Sequence, residues 1–247
     1  MAKIRTDVAL VDRGLVATRS KAQALIMAGK VFSGETKITK AGHQIKDDMP
    51  LEVRGRDHPW VSRGGLKLVK AIEHFEINFS EKKVIDVGAS TGGFTDVALH
   101  HGAAKVYAVD VGRGQLDWKL RNDDRVVVLE KTNARYLDAA HIPEPVDIVV
   151  CDASFISLKT VLPAALGFVR PGGVLAALIK PQFEVGKENV GKGGVVRDPM
   201  LHKGVCEDTR AWLDALPEWQ AIGITESPIK GPEGNVEFLI CGIKAND

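Results

Sequence analysis

From about residue 83 onward, the apolar positions of the chain come in short continuous runs rather than in alternation. The runs at 84–87, 106–110, 125–129, 146–151, 173–179, 221–224 and 237–241 therefore read as strands buried on both faces. Segments with a helical period fall between most of them, at 94–99, 156–169 and 200–216. Strand–helix alternation that closes with two neighbouring strands predicts an α/β, doubly wound and mostly parallel sheet of seven strands with one antiparallel edge. An amphipathic helix over 62–75 precedes the sheet, with Leu66, Val69, Ile72 and Phe75 on one face and Lys67 off it.

The first fifty-odd residues have another texture. Thr6-Asp-Val-Ala-Leu-Val-Asp-Arg-Gly14 reads as a short helix capped by Thr6 and ended by Gly14. Thr18-Arg-Ser-Lys-Ala-Gln-Ala-Leu-Ile-Met-Ala-Gly29 repeats that layout, with Ala22, Leu25 and Ile26 turned inward and Arg19, Lys21 and Gln23 left to solvent. Short β-like pieces follow at 30–32, 36–38 and 51–53, separated by Ser33-Gly34, Ala41-Gly42 and Met49-Pro50. The polar stretch Arg54-Gly-Arg-Asp-His-Pro-Trp-Val61 reads as a linker, with Pro59 fixing the chain before Trp60. The expected organisation is a small α+β domain at 1–57, a linker at 58–63 and an α/β domain at 64–247.

Charge changes the picture more than bulk composition does. With 45% hydrophobic and 26% charged residues, 247 residues suit an ordinary globular protein with a sizeable core. The net charge of +1 conceals an asymmetry: residues 1–57 hold eleven Lys/Arg against seven Asp/Glu, whereas the remainder holds 22 against 25. The small basic domain is thus a candidate for contacting phosphates. Three widely spaced cysteines, Cys151, Cys206 and Cys241, read as reduced thiols. The amino terminus lacks a signal-peptide core, and runs such as 174–179 are too short to cross a bilayer. The expectation is a cytoplasmic monomer that needs no metal and inserts in no membrane.

The chemistry gathers around Asp86-Val-Gly-Ala-Ser-Thr-Gly-Gly-Phe94, where a strand turns tightly into a helix. Gly88, Gly92 and Gly93 let backbone approach a ligand, and amides at the helix start offer donors. Ser90 and Thr91 interrupt the dinucleotide fingerprint, and Asp86 would repel a pyrophosphate while suiting the cationic amino-acid part of S-adenosylmethionine. Asp110, at the end of the next strand, sits where an adenosine ribose presents its hydroxyls. Other polar residues at carboxyl ends of strands are Asn133, Asp152 and Lys180, and Glu237 reaches that rim if its strand runs antiparallel. A carboxylate and an amine at neighbouring strand ends form a proton-handling pair.

Two resemblances add to this reading. Leu15-Val-Ala-Thr-Arg-Ser-Lys-Ala-Gln-Ala-Leu-Ile-Met-Ala-Gly-Lys-Val31, with Asp47-Asp48-Met49 before Leu51-Glu-Val53, resembles the RNA-binding domain named after ribosomal small-subunit protein S-four, departing from it at Ser33-Gly-Glu35. That resemblance implies that Arg5, Arg19, Lys21 and Lys30 face structured RNA. Lys67, Asp152, Lys180 and Glu237 match the tetrad of FtsJ-related ribose 2′-O-methyltransferases. Trp60-Val-Ser-Arg-Gly-Gly-Leu-Lys67, Cys151-Asp-Ala-Ser-Phe155, Ile179-Lys-Pro-Gln-Phe-Glu184 and Gly234-Asn-Val-Glu237 extend the likeness, so that nearly the whole chain resembles the TlyA family, often labelled hemolysin A. The resemblance implies a Rossmann-like class I methyltransferase behind a small RNA-binding domain, with S-adenosylmethionine as cofactor and cytidine ribose of ribosomal RNA or ribosomal subunits as substrate. It makes Lys67, Asp152, Lys180 and Glu237 catalytic, and Asp86, Gly88, Ser90, Thr91, Gly92, Gly93, Phe94, Asp110, Asn133 and Asp152 cofactor-binding.

The tetrad suits that chemistry by itself. A ribose hydroxyl is a very weak acid, so its oxygen needs a base or strong acceptor during transfer, and Lys180 can serve when neutral, a state that a neighbouring cation favours and carboxylates oppose. The four groups are coupled, so protons belong to the set rather than to one member. Amine methylation usually accompanies Asn/Asp-Pro-Pro-aromatic after the fourth strand, where this chain has Asp152-Ala-Ser-Phe155. Carbon-5 methylation needs a nucleophilic cysteine, whereas Cys151 reads as core. Gly186-Lys-Glu-Asn-Val-Gly-Lys-Gly193 approaches a P-loop but lacks its final Ser/Thr, follows no strand and opens no helix. It reads instead as a basic loop that brings Lys187, Lys192 and Arg197 near RNA phosphates, alongside Arg63. Competing readings are a non-enzymatic RNA-binding or ribosome-assembly protein, a nicotinamide-dependent dehydrogenase and a membrane-lysing protein.

Overall fold

The computed structural model describes residues 3–16, 18–46, 49–54, 58–231 and 233–246, and the chain divides into two compact units, Met1–Pro59 and Trp60–Asp247. In the first unit β1 (Lys3–Arg5) leads directly into α1 (Thr6–Asp12), followed by α2 (Arg19–Met27), β2 (Val31–Ser33), β3 (Thr36–Lys37), β4 (Gln44–Lys46) and β5 (Glu52–Val53). Antiparallel β1 and β4 form one pair, and β3, β2 and β5 form a second small sheet. Leu10, Val16, Ala22, Ile26, Val31, Ile38 and Ile45 make the core beneath both. Thr18 caps α2, accepting the Lys21 amide at 3.3 Å, as its sequence suggests.

Thr6 does not cap α1. It is the first helical residue, fully buried, and its hydroxyl donates to His43 O at 2.9 Å, so a tertiary partner takes the group that a local cap would use. Strands β1 and β4 are invisible in the sequence because three residues carry too little alternation to register. Ala17, Asp47 and Asp48, part of the S-four-like pattern, lie outside the described residues, as do 55–57 of the polar stretch 54–61.

The second unit runs α3 (Gly65–Phe75), β6 (Lys83–Val87), α4 (Gly93–His100), β7 (Lys105–Val109), α5 (Trp118–Arg121), β8 (Val126–Leu129), β9 (Val146–Cys151), α6 (Leu158–Val161), α7 (Pro163–Leu166), β10 (Val169–Ile179), α8 (Pro181–Glu184), α9 (Pro199–Asp214), β11 (Trp219–Glu226) and β12 (Phe238–Lys244). The sheet has the order β11-β12-β10-β9-β6-β7-β8. The pleat sends Ile85, Val87, Tyr107 and Val109 to one face and Val84, Val106 and Ala108 to the other, and both faces are covered, which is why the runs are continuously apolar.

Four expectations are corrected. The antiparallel strand is not at the edge: β12 pairs antiparallel with both β10 and β11, so β11 forms the edge. The expected helix over 156–169 is two short helices, because Pro163 cannot donate into a continuing helix and starts a new one instead. Strand β10 begins at Val169, well before 173, with its register to β9 shifting between Val169 and Val174. In α3 the most buried positions are Gly65, Lys67, Leu68 and Ala71, while Leu66, Val69, Ile72 and Phe75 pack only partly against the core. Lys67 is thus on the buried side, which helical periodicity alone assigns to apolar residues.

Candidate active site

The turn between β6 and α4 is shaped by what it must avoid. Gly88 has φ +80°, and a Cβ there would stand 2.9 Å from Ala153 Cα, so the turn after β6 packs directly on the backbone after β9. A Cβ on Gly93 would stand 2.3 Å from Ser62 Oγ and 2.9 Å from Gly65 N, so the start of α4 presses on the start of α3. Asp110, at the end of β7, ties the turn down by accepting the Ser90 amide at 2.8 Å and the Gly112 amide at 2.7 Å. Asp86 is fully buried; Thr95 Oγ1 donates to its Oδ2 at 2.6 Å, and Oδ1 has no hydrogen-bond partner. Burial pushes its carboxyl up to about 7, partly offset by the Thr95 hydrogen bond.

Two cavities open over the strand tips and share Gly88, Ser90, Asp152, Ser154 and Phe155. One, of about 560 Å³, is walled by Asp86, Thr91, Gly93 and Phe94 on the glycine side and by Lys67, Lys180 and Glu237 on the other. The second, of about 480 Å³, is walled by Asp110, Val111, Asn133 and Ala134. Asn133 spends its Oδ1 on the Arg135 amide at 3.1 Å. Of the residues expected to bind cofactor, only Gly92 lines neither cavity: a Cβ there would meet Leu120 Cδ1 at 2.3 Å, so its task is the close packing of α5.

Lys67, Asp152, Lys180 and Glu237 come together from α3, the end of β9, the end of β10 and the start of β12. Lys67 Nζ lies 3.2 Å from Asp152 Oδ2 and 2.7 Å from Glu237 Oε2. Lys180 Nζ lies 2.6 Å from Asp152 Oδ1 and donates to Asp152 O at 3.1 Å and Ser154 Oγ at 2.9 Å. Two buried cations alternate with two carboxylates, which lets four charges share one poorly solvated place. The antiparallel direction of β12 delivers Glu237 to the rim, as the strand argument requires.

Other candidates lie apart from this cluster. Arg5 and Arg19 both ion-pair at 2.9 Å with the buried Asp7 of their own unit, leaving their side chains 42% and 54% exposed. Lys21 is exposed and Lys30 half-buried. Arg63 lines the first cavity. Lys187, Lys192 and Arg197 are exposed on the loop before α9, where Lys187–Asn189 forms a single 3₁₀ turn and Gly191 pairs with Val195, so no phosphate loop forms. Cys151 is buried, and burial pushes its thiol up to about 12. Sequence reasoning passed over Ser154, Thr95 and Asn235. Ser154 and Asn235 stand inside the quoted motifs, but nothing in a linear pattern tells which hydroxyl or amide turns inward.

Strand order, glycine crevice and the alternating four-charge cluster define a class, the Rossmann-like methyltransferases. Residues 60–244 match the FtsJ-like methyltransferase family, and residues 4–50 match the S4 domain. The candidate rRNA methyltransferase YqxC of Bacillus subtilis is 49% identical over 239 residues, 96% of this chain and 85% of that one. The 16S/23S rRNA (cytidine-2′-O)-methyltransferase TlyA of Mycobacterium tuberculosis is 48% identical over 240 residues, 96% of this chain and 89% of that one. A solved candidate hemolysin from Streptococcus thermophilus, 43% identical, superposes with a TM-score of 0.76 over 100% of this chain and 92% of its own. The chain belongs to the TlyA family of FtsJ-like methyltransferases. The dehydrogenase reading falls with that membership. No helix among the described residues is long and apolar enough to cross a membrane, and no group of metal-ligating side chains is found among them.

Proposed function

We propose that this protein methylates the 2′-hydroxyl of cytidine in ribosomal RNA, using S-adenosylmethionine. The observation that carries the reading is Lys180: its amine is held by Asp152 Oδ1, Asp152 O and Ser154 Oγ at the mouth of a cavity continuous with the glycine turn. The cofactor, when bound, supplies an electrophilic methyl on a cationic sulfonium. The residues present suit it. Asp86 offers an unpartnered buried oxygen to an ammonium, and Asp110 and Asn133 wall a second cavity of nucleoside size. Ser90, Thr91, Gly93 and Phe94 complete the cradle.

When it acts as the neutral amine, Lys180 accepts the hydroxyl proton at Nζ as the ribose oxygen gains its new bond, and Asp152 and Ser154 stabilise the resulting ammonium. Lys67 keeps Asp152 and Glu237 from repelling each other and fixes where Asp152 points. Positioning contributes as much as proton transfer, because an oxygen held in line with the donor escapes most of the entropic barrier. In the first unit, the guanidinium groups of Arg5 and Arg19 are steered by Asp7 while their free N–H groups remain accessible to phosphates, with Lys21 and Lys30 nearby in sequence. Arg63, Lys187 and Lys192 supply further cations to RNA.

The test is to incubate purified subunits and naked ribosomal RNA with labelled donor, digest to nucleosides and look for 2′-O-methylcytidine by mass spectrometry. Label in that nucleoside, absent with Lys180→Ala, is the expected result. Label on a base, or none on either substrate, would overturn the assignment.

A further inference from the structure

We propose that Asn235 is a positioning residue for the acceptor side of the active site, fixing at once the glycine hairpin at 191–196 and the turn that carries Glu237. Asn235 is 1% exposed, and its side-chain amide is used on both ends. Oδ1 accepts the Val196 amide at 3.0 Å, and Nδ2 donates to Gly194 O at 2.9 Å. The assignment of oxygen and nitrogen follows from the partners, since a backbone N–H can only donate and a carbonyl can only accept. Gly194 O and Val196 N–H flank the single residue Val195, so one carboxamide reaches both. One carboxamide therefore stands in for the peptide of a missing neighbouring strand. Aspartate lacks the donor for Gly194 O, and alanine lacks both groups.

The hairpin it grips borders the reaction cavity. Gly193 and Gly194 line the same cavity as Lys67, Lys180 and Glu237. Both have left-handed backbone, φ +77° and +75°, and the turn closes through Gly191 N–H to Val195 O at 3.2 Å and Gly194 N–H to Gly191 O at 3.1 Å. Few backbone bonds hold so exposed a loop, so a buried two-point clamp decides where it lies. His202 Nε2 donates to Val196 O at 2.9 Å and leaves Val196 held on both its peptide groups.

The clamp reaches the catalytic carboxylate through the main chain. Gly231 N–H donates to Asn235 O at 2.9 Å, and Ser227 N–H donates to Glu237 O at 2.9 Å. A Cβ on Gly231 would lie 2.8 Å from Glu237 Oε1, so this turn is packed against the carboxylate itself. Asn235 stands two positions before the group that balances Lys67. A shift of the clamp therefore moves the hairpin and Glu237 together, while the second cavity, at Asp110 and Asn133, has no wall in either segment.

This inference rests on the proposed methyl transfer, and the full-length chain tests the two separately. Hydrogen exchange by NMR at the Val196 amide and calorimetric binding of S-adenosylhomocysteine need no RNA; steady-state kinetics use the ribosomal RNA substrate. In Asn235→Ala, which removes its acceptor, Val196 should exchange about 100-fold faster, and in Asn235→Asp, which keeps an acceptor and loses only the donor to Gly194 O, by a smaller factor. Affinity for S-adenosylhomocysteine should stay within about threefold, while kcat falls roughly 10- to 100-fold, more than KM for RNA rises through the displaced Lys192. Gly194→Ala places its new carbon where nothing lies within 4 Å and strains the hairpin through φ alone, so it should lower kcat with Glu237 undisturbed. Wild-type kcat in all three variants would overturn the proposal, as would a loss expressed as weaker S-adenosylhomocysteine binding or a collapsed melting transition. If the wild type itself methylates no ribose, the functional assignment fails, and the Val196 exchange rates still decide whether the clamp exists.

Discussion

Lys180 Nζ lies 2.6 Å from Asp152 Oδ1, with the two side chains 7% and 20% exposed. Because Asp152 also faces Lys67 at 3.2 Å, one carboxylate orients both amines. Asp152→Asn should reduce kcat by about 10²- to 10⁴-fold, the range of a positioned acid–base group, with S-adenosylhomocysteine still bound. Lys180→Arg keeps the charge but cannot give up its proton, so it separates proton acceptance from electrostatics: activity close to wild type would eliminate the amine as base. Single-turnover kinetics on ribosomal RNA read both.

Asp86 gives the pH dependence of stability. Its carboxyl, pushed up to about 7 by burial, holds its proton more tightly folded than unfolded. Its contribution is therefore intact below pH ~4, fades between about 4 and 7 and is flat above, for a total of roughly 4 kcal/mol. Asp86→Asn keeps an acceptor for Thr95 and should be more stable than wild type at pH 8, with the two converging toward pH 4. Urea midpoints measured across that range would refute the argument if the curves ran parallel.

In the first unit Asp7 is the buried knot. Arg5, with Gln23 and Arg19 adding their own hydrogen bonds, holds its carboxyl well below the usual carboxylate range despite burial. A depressed group stabilises above its unfolded value and loses that contribution as pH falls below ~4. Asp7→Ala leaves four N–H donors from three side chains facing nothing, and with half-exposed arginines the cost should be roughly 2–3 kcal/mol. Limited proteolysis of the full chain should then cut first within residues 3–54, whereas an unchanged pattern would count against the knot.

Cys151 tests the chemistry from the negative side. Its thiol is buried among β-strand side chains and pushed up to about 12, which makes it a poor nucleophile at neutral pH. Cys151→Ala should keep kcat within a few fold and lose about 1–2 kcal/mol to the small cavity. Inactivation of the wild type by an alkylating reagent, traced to this residue, would reopen carbon methylation.

Much of the architecture was written locally. Continuous apolar runs and the glycine cluster after Val87 act through neighbours a few residues away, so most strand positions and the glycine turn could be read before any contact was known. Pro163, an equally local signal, breaks the helix expected over 156–169. The other failures had long-range reasons. Thr6 looks like a cap but hydrogen-bonds His43, thirty-seven residues away. Arg19 and Gln23 look solvent-directed but converge on Asp7. Lys67 falls outside the apolar periodicity of its helix yet is buried, because its charge is balanced by carboxylates from β9 and β12 that a helical wheel does not contain.

The sequence by itself determined the class of the fold, the family, and which residue types stand at the tips of the central strands. Tertiary structure alone decided that β12 is inserted between β10 and β11, that four charges separated by as many as 170 positions close into one cluster, and that an asparagine amide holds the loop beside it. The reason is that hydrophobic period and turn chemistry are properties of adjacent residues. Charge pairing and side-chain hydrogen bonding depend on distances that exist only once the chain has folded.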